Sequence, residues 1–195
     1  LVPQNQALTY APQWGGRPQG EERRPEVLVD DCRIKAMLDA IAWAEGTAAD
    51  ADGGYGRVVR GTVLRAPNNP VLVGQVNVVI TNFASHPNTL VQVQPGLNST
   101  AAGRYQFLHG TWTVLALADF GARNQDIGAV ALLQRHRAIN PLLNGDVETA
   151  VANARGEWAS LPNSPHGQPT REMDDFQTEY DNALANCNRN RGRPW

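Results

Sequence analysis

The chain of 195 residues is poor in cysteine, carries little net charge and has no long apolar run. No stretch approaches the roughly 20 apolar residues of a membrane-crossing helix, so no membrane span is expected. Its 17 basic and 19 acidic residues leave a net charge of −2. That argues against a nucleic-acid partner, because proteins of that class carry a basic excess. His86, His109, His136 and His166 are scattered singly, and neither Cys32 nor Cys187 sits in a metal-binding spacing. No metal and no cofactor are therefore expected. GxSxG, GxGxxG and P-loop elements are missing too. Two cysteines allow one disulfide or none. Two unpaired thiols suit a cytosolic chain, and a staple between Cys32 and Cys187 suits an oxidising compartment.

What is present is the composition of a folded domain, with 42% apolar and 18% charged residues. Residues 1–29 are rich in Gln, Pro and Gly and read as an arm, with Trp14 as a docking residue within it. Residues 30–187 read as one domain and 188–195 as a polar tail. Apolar periodicity predicts helices over about 33–45, 111–120, 124–138, 146–158 and 170–186. The β-branched runs 57–64 and 71–80, with Pro67-Asn68-Asn69-Pro70 between them, predict a hairpin or small sheet. The class is α+β, mainly α, with no βαβ alternation and no internal repeat.

The first helix carries the strongest chemical signal. Asp30 and Asp31 offer caps at its start, and Gly46 lies just past its end. Ile34, Met37, Leu38 and Ile41 form its apolar stripe. At 100° per residue from Ile34 that stripe reaches Glu45 with an offset of about 20°. A carboxylate on a buried face, at the negative end of a helix, is held protonated by both effects. That is the condition a general acid needs. A helix-end glutamate exposed to solvent is the plainer alternative. The run Ser99-Thr100-Ala101-Ala102-Gly103-Arg104-Tyr105-Gln106 places hydroxyls, an amide and a phenol among small residues, as a polar ligand would require. A capped turn leading into a helix has the same composition.

In order along the chain stand Ala42-Trp43-Ala44-Glu45-Gly46-Thr47, Gly54-Tyr55-Gly56, His86-Pro87, Ser99-Thr100 with Ala102-Gly103-Arg104-Tyr105-Gln106, and Trp158-Ala159-Ser160-Leu161-Pro162. This ordered set resembles the phage lambda endolysin family, glycoside hydrolase family 104, over residues 33 to 186. The resemblance implies a lysozyme-like fold with a cleft between its lobes. It also implies a lytic transglycosylase acting on peptidoglycan glycan strands. Such an enzyme cuts the β-1,4 bond between N-acetylmuramic acid and N-acetylglucosamine and leaves a 1,6-anhydromuramic acid end.

Residue by residue, Glu45 matches the family's catalytic acid. Ser99, Thr100, Tyr105 and Gln106 match the segment lining the cleft, and Ser160 lies in the matching Trp-Ala-Ser-Leu-Pro loop. Tyr55 is carried as a contact although Gly56 replaces an aspartate of the family. His166 stands where the family has a cleft tyrosine and is counted with the contacts. Residues 62–76 resemble an insertion at the lip of the cleft. A hydrolytic muramidase using Asp50 or Asp52 as second carboxylate stays open, as does a non-catalytic wall-binding or virion module. The implied place of action is the periplasm or cell wall, reached by secretion, with a virion, or at phage lysis. A virion or secretion-machine partner for the arm is an expectation of the same kind. A wall substrate also favours an oxidised Cys32–Cys187 pair.

Overall fold

The computed structural model describes residues 23–191. A single turn, α1 (Pro25–Leu28), leads into the central helix α2 (Cys32–Ala44). Asp31 caps α2 by accepting the Arg33 N–H at 2.9 Å, which satisfies one of the orphan donors of its first turn. The predicted stripe Ile34, Met37, Leu38 and Ile41 is buried. So are Ala36, Ala40 and Ala42 on the other faces, because α2 runs through the middle of the helical lobe.

Around it stand α3 (His109–Leu115), α4 (Ala122–Arg135), α5 (Ile139–Leu143), α6 (Val147–Ala154) and α7 (Met173–Arg191). The longest, α7, packs along α2 through Phe176 and Tyr180. Burying a side chain such as Phe176, which has no exposed surface, contributes about 2 kcal/mol. A disulfide joins Cys32 at the head of α2 to Cys187 on α7, with Cα atoms 5.6 Å apart and 155 residues between them in sequence. Closing so long a loop removes unfolded-state entropy worth up to about 5 kcal/mol.

The smaller lobe is a three-stranded antiparallel sheet in the order β1 (Thr62–Arg65), β2 (Leu90–Gln94), β3 (Leu97–Ser99). Val58, Val63, Ala66, Val78 and Val91 give it a small core of its own. The predicted hairpin is formed only in part. Residues 74–80 do run beside 56–63, with Val63 N–H on the Gln75 carbonyl at 2.9 Å and Ile80 N–H on the Gly56 carbonyl at 2.7 Å. They make no regular strand, since Pro70–Leu72 is a 3-10 turn and Asn77 adopts a left-handed φ of +52°. Among the described residues nothing covers Val71, Val73, Val76 and Val79, which are exposed. Strand β1 takes its regular partner from 90–94 instead.

Four other boundaries differ from the sequence reading. The arm does not extend to residue 29: Leu28 and Val29 are buried, and Arg123 donates to the Glu26 carbonyl and pairs with Asp30. Residues 1–22, including Trp14 and any partner contact of the arm, lie outside the described residues. The tail does not begin at 188, because α7 continues to Arg191, which donates to the Asp30 carbonyl at 2.8 Å. Helix α3 stops at Leu115, where Ala116 turns left-handed. The expected helix over 146–158 stops at Ala154, and α5 was not foreseen. Among the described residues no helix is long and apolar enough to cross a membrane.

Candidate active site

Glu45 is the residue that closes α2, its N–H bonded to the Ile41 carbonyl at 2.9 Å. Burial pushes its carboxyl above the ordinary carboxylate range. Two neighbours oppose that without reversing it. Ser160 Oγ donates to Glu45 Oε1 at 2.6 Å, and the Arg171 charge pulls in the same direction. The result is an acid that holds its proton, with a hydroxyl and a cation ready to receive the anion.

Ser160 is held in place by its neighbours. Trp158 is buried and its indole N–H donates to the Tyr105 carbonyl at 3.0 Å. Leu161 is fully buried. Between these two anchors the Ser160 side chain turns toward Glu45, and its carbonyl accepts the Arg171 N–H at 3.0 Å. Arg171 places its guanidinium over the Trp43 ring, 4.6 Å from the centroid. The sequence reading puts Arg171 in the first turn of the last helix, but α7 begins at Met173, and the pairing of Arg171 with Trp43 joins segments far apart in the chain.

The turn after Glu45 is built on Thr47, which is buried and whose hydroxyl lies 2.6 Å from the Arg104 carbonyl and 3.1 Å from that of Ala42. Gly54 packs on it: at φ +89° a Cβ there would stand 2.6 Å from Thr47 Cβ. Asp50 and Asp52, the alternative second carboxylates, follow on this loop. Asp50 is paired with Arg57 through two contacts, one of them at 2.6 Å from Arg57 Nε. Asp52 accepts the N–H groups of Gly54 at 2.9 Å and Gly56 at 2.6 Å.

The expected sugar-binding segment is put to another use. Tyr105 is 1% exposed, and its hydroxyl donates to Asp126 Oδ1 at 2.6 Å. Its place among the cleft contacts is therefore corrected: a side chain closed off from solvent cannot meet a sugar. Tyr55 donates to the same oxygen at 2.8 Å. Arg104 lies beside both rings and pairs with Asp39 at 2.6 Å. Burial pushes Asp126 up, and likewise both phenols. The fully buried Gln125 accepts the Arg104 N–H at 2.8 Å and donates to the Phe120 and Tyr55 carbonyls. At Gly103, with φ +80°, a Cβ would meet Gln125 Oε1 at 2.3 Å. Asp126 and Gln125 had no signal of their own, because polar residues on a helix are read as solvent-facing.

Thr100 caps α3 by accepting the His109 N–H at 3.1 Å, and Ser99 accepts the Ala101 N–H at 3.1 Å. Gln106, left-handed at φ +48°, donates to the Gly103 carbonyl. His166 is exposed and its Nε2 lies 3.0 Å from the Gly156 carbonyl. Of the expected contacts, Ser160 is the one bonded to Glu45. His86 is buried, accepts the Asn88 N–H at Nδ1 and so donates from Nε2 to the Phe107 carbonyl at 2.9 Å. Burial pushes it down to about 4, so it is a neutral structural residue.

Among the described residues no three His, Cys, Asp or Glu side chains gather as a metal cage. Two cavities of about 410 and 390 Å³ lie against residues 67–69 and 79–89, and neither is lined by Glu45 or Ser160.

A family model described as Endolysin matches residues 35–187. The endolysin of Escherichia phage lambda is 33% identical over 153 residues, which is 76% of this chain and 89% of that protein. The endolysin of Escherichia phage P2 is 32% identical over 162 residues, covering 77% of this chain and 92% of that one. Among solved structures, bacteriophage lambda lysozyme complexed with a chitohexasaccharide matches with a TM-score of 0.68 at 30% identity, over 78% of this chain and 94% of that chain. A second structure of lysozyme from bacteriophage lambda matches with a TM-score of 0.58 at 28% identity, over 82% and 94%.

Proposed function

The chain belongs to the endolysin family of lysozyme-like, peptidoglycan-degrading enzymes, and on that premise we propose that it is a lytic transglycosylase with Glu45 as its single acid and base. The protonated Glu45 carboxyl gives its proton to the oxygen between muramic acid and glucosamine, and the bond from the anomeric carbon to that oxygen breaks. The resulting carboxylate is received by the Ser160 hydroxyl and the Arg171 charge. It then takes the proton of the muramic acid 6-hydroxyl as that oxygen attacks the anomeric carbon. A 1,6-anhydro ring closes, glucosamine leaves with the first proton, and Glu45 ends protonated as it began. No water is consumed.

The observation that carries this reading is the contrast among the three carboxylates. Glu45 is desolvated and has one side-chain donor. Asp50 and Asp52, which a two-carboxylate hydrolase would draw on, are occupied by Arg57 and by two backbone N–H groups. A base whose lone pairs are bound in the ground state is poorly placed to activate water. The chitohexasaccharide bound to the lambda lysozyme supports a β-1,4-linked glycan strand as the substrate. Action on the cell wall, reached on release at lysis, accords with the family.

Mass spectrometry of purified peptidoglycan digested by the protein tests the proposal. Anhydro-muropeptides, lighter by one water than hydrolysis products, are expected. Reducing-end products would assign a hydrolase with Asp50 or Asp52 as base, and no products at all would leave a wall-binding module.

A further inference from the structure

Arg171 has a role that the proton transfer at Glu45 does not require of it. It is exposed, yet its backbone is tied to the Ser160 carbonyl at 3.0 Å and its guanidinium lies on the Trp43 indole at 4.6 Å. Trp43 stands two residues before Glu45 on α2. An arginine held on an aromatic face has its plane oriented before any ligand arrives, and its edge N–H groups remain free. Among the described residues this guanidinium forms no ion pair, unlike that of Arg104, which also lies on aromatic rings but pairs with Asp39. The result is a preoriented fork donor at the rim of the acid's site, whose charge acts on Glu45 without a hydrogen bond to it.

We propose that Arg171 is a specificity residue that binds a carboxylate of the substrate beside the cut bond. This rests on the preceding reading of the site as wall-cleaving and names what it selects. A peptidoglycan strand differs from an uncharged chitin strand in just this chemistry. Each muramic acid bears a lactyl ether, ending either in a free carboxylate or in a stem peptide with carboxylates of its own. A planar guanidinium donates two parallel N–H bonds to either carboxylate.

The test is binding by calorimetry in a Glu45→Gln background, where the strand is not consumed. Three ligands are compared: glycan strands with stem peptides, the same strands stripped of peptide by an amidase, and chitohexaose. Adding Arg171→Gln is expected to weaken binding of the carboxylate-bearing strands at least tenfold and to leave chitohexaose within twofold. Loss confined to the peptide-bearing strands names the stem peptide as the source, loss confined to the stripped strands names the lactyl carboxylate, and loss on both means that the guanidinium takes either. Arg171→Lys, which keeps the charge, is expected to recover part of the affinity at low salt. Equal loss on all three ligands would reduce Arg171 to a packing role on Trp43 and overturn the proposal. So would no loss on any, or full recovery with lysine, which lacks the planar fork. Failure of the transglycosylase reading shows elsewhere, in hydrated products, and leaves this binding difference standing.

Discussion

Two half-buried carboxylates, Glu45 and Asp126, sit on neighbouring helices of the same lobe, and only one of them is equipped for chemistry. Burial pushes both upward. On Asp126 a single oxygen takes the hydroxyls of Tyr55 and Tyr105 at 2.8 and 2.6 Å, and Arg104 lies beside both rings. Its surroundings are saturated and serve to pin the 53–55 loop and the 103–106 turn to α4. Glu45 has one side-chain donor, Ser160, and a rim formed by Trp43 and the exposed Arg171. A raised proton affinity therefore does not mark an active site. What separates the two is that Asp126 is closed in by two phenols and Arg104, whereas Glu45, held by the hydroxyl and backbone N–H of Ser160, borders the exposed Arg171.

Substitution at the two positions should break the comparison most sharply. Glu45→Gln is expected to cut wall-clearing activity by about 10³-fold, the scale of a lost general acid, with the fold intact by circular dichroism. Activity near that of the parent would remove Glu45 from the role. Asp126→Ala should do the reverse. It leaves two phenol hydroxyls without their acceptor, so a stability loss of about 2–4 kcal/mol is expected in denaturant unfolding. Activity per folded molecule should stay within about threefold, and a selective collapse of activity in a stable Asp126→Ala would place Asp126 in the machinery.

Ser160→Ala sharpens the contrast through pH. Ser160 favours the anion of Glu45, so its loss raises the proton affinity further. Activity needs the protonated acid and falls as pH rises through the Glu45 value. That alkaline limb should move to higher pH, with a drop in kcat of about tenfold from the less stabilised carboxylate. An unmoved limb in the pH–rate profile would separate Ser160 from Glu45. Stability should carry the same sign. Between the ordinary value of 4.5 and the raised one the folded state binds more protons than the unfolded, so stability falls as pH climbs through that window. Glu45→Gln should therefore raise Tm at neutral pH and leave it unchanged below about pH 4. The smallest effect is expected for Tyr105→Phe, a loss of about 1 kcal/mol with activity preserved. A sugar-binding Tyr105 would show as a raised KM instead.

The chain order alone determined the helical class, α2 with its Asp31 cap, the stripe of α7 and the place of Glu45 at the end of a buried face. Each is a local matter of period and capping, so each is readable without the fold. The Cys32–Cys187 pair was half determined, since two cysteines allow one disulfide or none and no sequence states a distance. The tertiary structure decided the rest. Tyr105 reads as a cleft residue because a phenol among small residues suits a polar ligand, and Tyr55 is carried there by the family resemblance alone. Their burial on Asp126 depends on α4, which lies far along the chain. The valines of 71–80 read as a strand because β-branched residues alternate there, but only Val78 enters the small core, and among the described residues no second layer covers the others. Ser160 and Arg171 reach Glu45 from more than a hundred residues away. A site made of one helix end and one distant loop is written in sequence only as separate fragments, because the contact that joins them is a property of packing.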